Sequence, residues 1–278
     1  MSCFHFVNHV CAMITVWGAD DAGCSRAMSR SDPTSQGSSM PVISFANAKG
    51  GAGKTTAALL LATELAHQGY RVAILDADPQ RWITQWHEIS GPQRNIEVIS
   101  EVTVASVQGH IRELSRTNDY IIMDLAGARD AMVTTAIGLS DHVMIPVQGC
   151  AMDAKGGAQI LDLIKLMEDA GNLVIPHSVV LTRVTSMVTT RALLTIKGLL
   201  AARGVNVVNT PIAERSAYRE IFDCGGTLYS MDAAKISNLD KAQENAKSFA
   251  SEVMRLLPVK VIRSSEPRRL FRLVRSAA

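Results

Sequence analysis

The chain has 278 residues, of which 47% are apolar and 19% are charged, so it can build a sizeable core and is not globally disordered. No apolar run approaches the roughly 18 residues that a membrane-spanning helix needs. Five widely spaced cysteines, an odd number, indicate reduced thiols and a cytoplasmic protein.

The net charge of +2 is unevenly distributed along the chain. Residues 258–278 carry a net charge of +5, whereas residues 1–39 carry −1. The basic charge is therefore concentrated in a C-terminal segment, which favours a polyanionic partner over a basic fold.

Residues 1–39 have the composition of an appendage that does not order itself. No basic region precedes Val10–Trp17, so a secretory signal is not predicted, and Asp20–Ser39 is rich in Ser, Gly, Asp and Pro. A zinc site is weakly suggested by the spacing of Cys3, His5, His9 and Cys11, but nothing around them would orient the ligands. We hypothesise that translation starts at Met40.

A phosphate-binding loop is predicted between Pro41 and Thr56. A short apolar run at 42–45 is typical of a strand, glycines follow at positions 50, 51 and 53, and a helical segment extends to about Gln68. This order brings backbone N–H groups and a helix dipole to a phosphate. Lys54 would neutralise the β- and γ-phosphate oxygens, and the Thr55 hydroxyl would reach Mg²⁺.

The loop departs from the common pattern G-x-x-x-x-G-K-[ST], because Ala48 stands in the first position and Lys49 follows it. The run Lys49–Thr56 resembles the deviant Walker A motif of the ParA/MinD family of ATPases. The resemblance implies that Lys49 reaches across a dimer interface to the partner's ATP and that Lys54 acts in catalysis. It also implies that ATP is bound by Gly50, Gly51, Ala52, Gly53, Lys54, Thr55 and Thr56.

Two carboxylates lie at the carboxyl end of the next predicted strand, Arg71–Asp76, where open α/β sheets bind ligands. Asp76 and Asp78 could order a magnesium-bound water or the attacking water, or could serve only as turn residues in Asp-Pro. The D-x-D-P-Q run also resembles ParA proteins, which implies that Asp78 activates water and that Asp76 belongs to the metal site. Helix Arg81–Ser90 follows, with Trp82, Ile83 and Trp86 on one face. The tryptophans could stack on bases, but we expect them to pack in the core.

Tyr120–Asp124 is an apolar strand that ends in an acid, the form of a Walker B motif. Asp124 would hold Mg²⁺ through water. Gly127 has the D-x-x-G spacing by which a switch loop offers a backbone N–H to the γ-phosphate. Many ParA proteins have D-x-P-P here, so this chain departs from that subgroup.

The remaining segments continue to alternate between strands and helices, which predicts a doubly wound, mainly parallel α/β sheet with helices on both faces over residues 40–257. By resemblance, Arg183 and Pro211 lie near the adenine base. The other predicted elements are strands Ile96–Ile99, His142–Val147, Ser178–Arg183 and Val205–Val208, and helices Ala105–Arg116, Asp153–Ala170, Thr190–Arg203, one starting at Glu214, and Asn238–Leu257.

The resemblance implies a slow, partner-stimulated ATPase that binds ATP and Mg²⁺ and closes as a homodimer. The favoured function is to position or segregate DNA, in plasmid partition or conjugative transfer, together with an adaptor or centromere-binding protein on the nucleoid. The segment 73–86 and the compact size favour a VirC-type transfer ATPase. A MinD-like membrane-associated ATPase is the alternative. A metabolic relative with a bridging iron–sulfur cluster is disfavoured, because Asp124–Asp130 contains no cysteine.

The basic segment 258–278 distinguishes the first two functions. Four of its apolar residues, at 270, 271, 273 and 274, fall on one side of a helix, and on the other side lie Arg268, Arg269, Arg272 and Arg275. Such a segment could bind DNA phosphates, lie on an anionic membrane, or remain solvated. The short apolar face and the use of arginine favour non-specific DNA binding and make a membrane partner the less favoured one.

Overall fold

The computed structural model describes residues 40–127, 130–148, 151–185, 198, 200–202 and 204–258, with the backbone alone for 151–154. Predictions for residues 1–39, for most of Thr190–Arg203 and for the segment 259–278 lie outside these residues. Within them, no helix is both long enough and apolar enough to cross a bilayer.

Seven parallel strands form one sheet in the described part of the chain. Their order is β3-β2-β4-β1-β5-β6-β7, so β1 lies between β4 and β5. The strands are β1 Val42–Phe45, β2 Val72–Ala77, β3 Ile96–Ile99, β4 Tyr120–Leu125, β5 His142–Gln148, β6 His177–Thr182 and β7 Asn206–Val207. The predicted doubly wound parallel α/β fold is confirmed.

Helices cover both faces of this sheet. They are α1 Lys54–His67, α2 Trp82–Ser90, α3 Val107–Leu114, α4 Ala131–Gly138, α5 Ala151–Gly171, α6 Ser216–Cys224 and α7 Leu239–Leu256. Helix α1 is buried on nearly all sides, which explains its run of Ala and Leu.

Side chains alternate between two cores along each strand, as period two requires. In β1, Val42 enters the core under α3, α4 and α5, whereas Ile43 and Phe45 enter the core under α1, α6 and α7. All strand positions from β1 to β4, apart from the ends and the edge strand β3, are buried, because a parallel sheet is covered on both sides.

Two helices differ from the sequence prediction. In α2, Ile83 and Trp86 are buried as expected, but Trp82 is 50% exposed, so its assignment to the core was wrong. Helix α4 was not predicted. Its signal was Asp130, whose carboxylate caps the helix by accepting from the Val133 N–H at 2.9 Å.

Candidate nucleotide-binding site

The loop between β1 and α1 is held by side chains from neighbouring strands. The Asn47 amide donates to the Pro146 carbonyl at 2.7 Å and accepts from the Lys49 N–H at 2.9 Å, which ties the loop entrance to β5. At the exit, the Thr182 hydroxyl at the end of β6 donates to the Ala52 carbonyl at 2.8 Å. The loop is therefore shaped by contacts that leave other backbone N–H groups available.

The loop backbone takes conformations that favour glycine. Gly51 and Gly53 have φ values of 80° and 91°, in the left-handed region. Gly53 is the N-cap of α1, and no side chain caps the helix there. The positive end of the helix dipole therefore faces the loop without a competing side-chain acceptor, which suits a phosphate.

Lys54 is only 5% exposed, although it carries a charge. Its ammonium donates to the Lys49 carbonyl at 3.3 Å, so the second lysine of the loop is fixed against the backbone of the first. Burial lowers the pKa of Lys54, and the carboxylates of Asp124 and Asp78 oppose this effect. The Lys54 ammonium therefore lies near two carboxylates, in a loop that is suited to binding phosphate.

The sheet register places two predicted metal ligands side by side. Asp76 on β2 is paired with Asp124 on β4, and both are almost fully buried. Neither carboxylate oxygen of Asp124, nor Oδ1 of Asp76, has a hydrogen-bond partner among the described residues. Buried carboxylate oxygens normally have hydrogen-bond partners, so these three oxygens indicate that the site binds a ligand.

The protonation behaviour of the two acids reflects the same burial. Desolvation raises the pKa of Asp124 to about 8, and the negative charge of Asp76 adds to the rise. Thr55 lies close enough to oppose it, although no hydrogen bond of normal geometry joins the two side chains. Burial likewise raises the pKa of Asp76, opposed by two hydrogen bonds from Thr84. A bound cation would offset this cost.

The donor set fits Mg²⁺ held partly by substrate. Among the described residues no group of three or more His, Cys, Asp and Glu side chains could hold a metal by itself. Magnesium usually takes only one or two carboxylates together with water and substrate phosphates. Thr55, Asp124 and Asp76 meet that requirement beside the phosphate-binding loop.

Asp76 also has a structural task. Its Oδ2 accepts from both the N–H and the hydroxyl of Thr84, at 2.9 and 2.7 Å. Thr84 lies in the first turn of α2, whose N-cap residue provides no side-chain cap. Asp76 thus caps α2 from the end of β2, and only its Oδ1 is left for the site.

Asp78 lies at the mouth of the site, half-buried, and forms the turn that the Asp-Pro sequence suggests. Its Oδ1 accepts from the Gln80 N–H at 2.8 Å and its carbonyl accepts from the Arg81 N–H at 2.9 Å. Asp78 is near enough to Lys54 and Asp76 to affect the pKa of each. The turn therefore places the Asp78 carboxylate near Lys54 and Asp76.

Gly127 lies against the phosphate-binding loop. A Cβ added to Gly127 would lie 2.7 Å from the Gly50 nitrogen and 2.9 Å from the Lys49 carbonyl carbon. Any side chain at this position would therefore push the two loops apart.

A cleft opens beside Gly53 and Thr56. Thr182 and Arg183 line this cleft together with the segment after β7 and with α6. Pro211 lies next to this lining, and its carbonyl accepts from the Asn245 amide at 2.8 Å. The lining residues from that segment and from α6 include Ile212, Ala213, Glu214, Tyr218 and Phe222.

Sequence reasoning missed several residues that shape this site. Gln148 at the end of β5 donates to the Gly51 carbonyl, and Thr182 ends β6. Both could have been found by applying the strand-end argument to every strand, since it was applied mainly to β1, β2 and β4. Gly156 had no sequence signal. A Cβ there would overlap the Asn47 side chain and lie 2.9 Å from the Lys49 Cβ.

Comparisons with known proteins agree with this geometry. The VirC1 protein family model matches residues 40–262. The chain is 40% identical over 218 residues to the protein ParA of Rhizobium radiobacter, covering 78% of this chain and 98% of the relative. It is 29% identical over 191 residues to the protein virC1 of Rhizobium rhizogenes, covering 67% of this chain and 82% of the relative.

The fold has counterparts among solved structures. The ATP complex of a Cyanothece McdA variant superimposes with a TM-score of 0.60 at 19% identity, covering 78% of this chain and 97% of the other. At that identity the similarity supports the fold alone. The resemblance stated from the Walker-type motifs is confirmed.

Proposed function

Because this chain belongs to the VirC1 and ParA family of P-loop ATPases, we propose that it hydrolyses ATP with Mg²⁺ and uses ATP-dependent dimerisation to position or segregate DNA. One observation carries the proposal. The phosphate-binding loop, which contains Lys49 and Lys54, lies beside Asp124. Asp124 is a buried acid whose carboxylate oxygens have no hydrogen-bond partner within the described part of the chain.

In this proposal, phosphate binding, metal binding and water activation are the roles of different residues. The backbone N–H groups of residues 50–56 and the uncapped start of α1 bind phosphate oxygens, while Lys54 supplies the positive charge. Thr55, Asp76 and Asp124 would hold Mg²⁺, partly through water, and the bound ion would neutralise phosphate charge. Asp78 accepts a proton from the attacking water or orients it.

Positioning is the larger part of this catalysis, because phosphoryl transfer needs alignment and charge stabilisation more than covalent participation. The Gly127 N–H would contact the γ-phosphate, and the base and ribose would lie in the cleft by Arg183 and Pro211. Lys49 would reach the nucleotide of a second copy of the chain, so that two protomers close over two ATP molecules. Hydrolysis would release the dimer.

The partners follow from this cycle. The dimer would bind DNA non-specifically through the basic segment, with Arg268, Arg269, Arg272 and Arg275 on phosphates, and would thereby associate with the nucleoid. An adaptor or centromere-binding protein would stimulate the slow hydrolysis. The relatives described above are ParA and VirC1 proteins, which favours DNA over the MinD-like membrane alternative and leaves partition and conjugative transfer as the two settings.

The test compares four alanine variants for ATP binding, sedimentation with ATP, and phosphate release. Lys54→Ala should lose ATP binding, and Lys49→Ala should bind ATP but remain monomeric. Asp78→Ala should bind ATP, dimerise and hydrolyse at least about a hundredfold more slowly, as removal of a general base does. Lys247→Ala, an exposed lysine on α7, is the control and should match wild type.

Each result could contradict one assignment. Tight ATP binding by Lys54→Ala would refute the phosphate site, and normal ATP-dependent sedimentation of Lys49→Ala would refute the cross-dimer role. Normal turnover by Asp78→Ala would move the water-activating role to Asp76 or Asp124.

A further inference from the structure

One wall of the cleft is built on helix α7, although α7 does not itself line the cleft. This wall is the segment 209–213, which has no regular secondary structure apart from an isolated bridge at Ala213. Ile212 and Ala213 face the cleft from this segment. Backbone groups of such a segment still need partners when they are covered.

One side of the segment is held by backbone bonds to β6 and the residues after it. The Ile212 N–H donates to the Leu181 carbonyl at 2.8 Å, and the Val184 N–H donates to the Ile212 carbonyl at 3.2 Å. These bonds place the wall next to Thr182 and Arg183, which also line the cleft.

The other side is held by side chains of α7, because the backbone groups of a helix interior are already paired. Asn245 binds the wall twice: its Nδ2 donates to the Pro211 carbonyl at 2.8 Å, and its Oδ1 accepts from the Ala213 N–H at 2.9 Å. A carbonyl and the N–H two residues later are the groups that a neighbouring strand would pair with. Asn245 thus makes the two hydrogen bonds that a neighbouring strand would otherwise make.

Asn245 also contacts the aromatic part of the cleft. The Tyr218 hydroxyl lies 3.0 Å from Asn245 Oδ1 and 3.0 Å from the Ala242 carbonyl, so its single proton bonds to one or the other. Ala213 and Tyr218 both line the cleft, and Asn245 therefore fixes two lining residues at once.

Glu252, two turns further along α7, binds the start of the wall. Its carboxylate oxygens accept from the Asn209 and Thr210 N–H groups at 2.6 and 2.8 Å. The side chain is largely covered, and these hydrogen bonds outweigh desolvation and lower the pKa of Glu252. The carboxylate is therefore charged at neutral pH and holds both N–H groups.

Packing alone does not require polar residues at these two positions. Apart from Glu252, the buried residues of α7 are apolar: Leu239, Ala242, Ala246, Phe249, Ala250 and Val253. A half-buried amide such as Asn245 and a buried carboxylate such as Glu252 cost free energy unless their hydrogen bonds are made. Their partners here are the backbone of the cleft wall.

We propose that Asn245 and Glu252 are positioning residues that set the cleft wall against the base and ribose of the bound nucleotide. The proposal rests on the proposed function, since it assumes that the phosphates lie on the loop at 50–56. Neither residue would touch the nucleotide. Asn245 acts through Ala213 and Tyr218, and Glu252 acts through the backbone at Asn209 and Thr210. Both should therefore affect recognition of the nucleoside and not of the phosphates.

The test measures the dissociation constants of ATP and of inorganic tripolyphosphate, each with Mg²⁺, for wild type and for Asn245→Ala. We expect the Kd for ATP to rise about tenfold, the equivalent of one lost positioning interaction. The Kd for tripolyphosphate should change less than about twofold, because its contacts lie on the loop. Val253→Ala, a fully buried α7 residue, is the control for destabilisation and should leave the ratio of the two constants unchanged.

Glu252→Gln keeps the shape of the side chain and tests the same point should Asn245→Ala not fold. We expect it to shift the ratio in the same direction. Equal loss of ATP and tripolyphosphate affinity, or the same shift in Val253→Ala, would overturn the inference and leave the proposed function standing. A wild-type protein that binds neither ligand would instead refute the proposed function.

Discussion

At the scale of single residues, the contact between Gly127 and Gly50 leaves no room for a side chain. A Cβ on Gly127 would lie 2.7 Å from the Gly50 nitrogen, closer than such atoms approach in proteins. Gly127→Ala should therefore separate the two loops and weaken ATP binding by about tenfold relative to ADP, because ADP lacks the phosphate that Gly127 would contact. Competition titrations with both nucleotides measure this ratio.

The matched control is Gly109→Ala in α3, where an added Cβ meets nothing within 4 Å. That change should leave the ATP:ADP ratio alone and raise the free energy of unfolding by up to about 1 kcal/mol, as alanine does in a helix interior. A Gly127→Ala protein with an unchanged ratio would mean that the switch residue does not contact the γ-phosphate.

His142 gives the stability a pH dependence that is separate from the site. It is buried beside Ser178, with Nε2 and Oγ 2.9 Å apart. Burial, together with the charge of His177, lowers the pKa of His142 from 6.5 to about 4. The native state therefore keeps this imidazole neutral at a pH where the unfolded chain protonates it.

The direction of this pH dependence follows from the difference between the pKa of His142 in the folded and unfolded states. A histidine with a lowered folded pKa stabilises the protein fully above the unfolded pKa and loses that contribution as the pH falls. Between pH 7 and pH 5 the loss should be about 2 kcal/mol. We expect His142→Gln to lose about that much less than wild type over the same interval in urea unfolding, since the acids of the site titrate alike in both proteins. Parallel pH profiles would contradict the role of His142.

At the scale of elements, helix α2 shows what spacing predicts and what it does not. Spacing correctly put Ile83 and Trp86 on the core side, because it reports the direction of a side chain around the helix axis. It does not report where along the axis the core ends. Trp82 is the first residue of the helix and is 50% exposed, whereas Trp86 is fully buried.

The two tryptophans therefore form a matched pair. Trp86→Ala should reduce the free energy of unfolding by about 3–5 kcal/mol, through the cavity left and the lost bond from Nε1 to the Gly226 carbonyl at 2.8 Å. Trp82→Ala should change it by no more than about 1 kcal/mol. Chemical unfolding measures both, and equal losses would show that the exposed indole is covered in solution.

The candidate site divides in the same way between what was predictable and what was not. Residues 49–56, Asp76, Asp78, Asp124 and Gly127 were predicted as site residues because each lies at the end of a strand or within a short loop after it, and its chemistry is local in sequence. Asn245 and Glu252 were not predicted. Their backbone partners in the cleft wall lie 32 to 43 residues away along the chain, and a polar residue in an amphipathic helix does not indicate which backbone it will contact.

At the scale of the whole molecule, the positive net charge lies in a different part of the chain from the α/β domain. The region 40–257 has a net charge of −2, whereas residues 258–278 carry +5. A domain of that charge does not attract DNA by itself at long range. We therefore expect the DNA affinity of the dimer to depend on the C-terminal segment and the nucleotide affinity to depend on the domain.

Removing residues 258–278 tests this separation. With four arginine–phosphate contacts per protomer, and therefore eight in the dimer, DNA binding by the dimer should weaken about ten-thousandfold between about 50 and 200 mM salt, because each contact releases a counterion. The truncated protein should lose most of that salt dependence and most of its ATP-dependent retention on non-specific DNA, with the Kd for ATP unchanged.

Two full-length variants separate the charge of this segment from its apolar face. Changing the four arginines to glutamine should reproduce the truncation, because the charge and not the apolar face would be responsible: Arg268, Arg269, Arg272 and Arg275. Changing the apolar residues 270, 271, 273 and 274 to serine should leave DNA binding intact. Loss of co-sedimentation with anionic vesicles in that last variant, with no DNA retention in wild type, would instead identify a membrane as the partner.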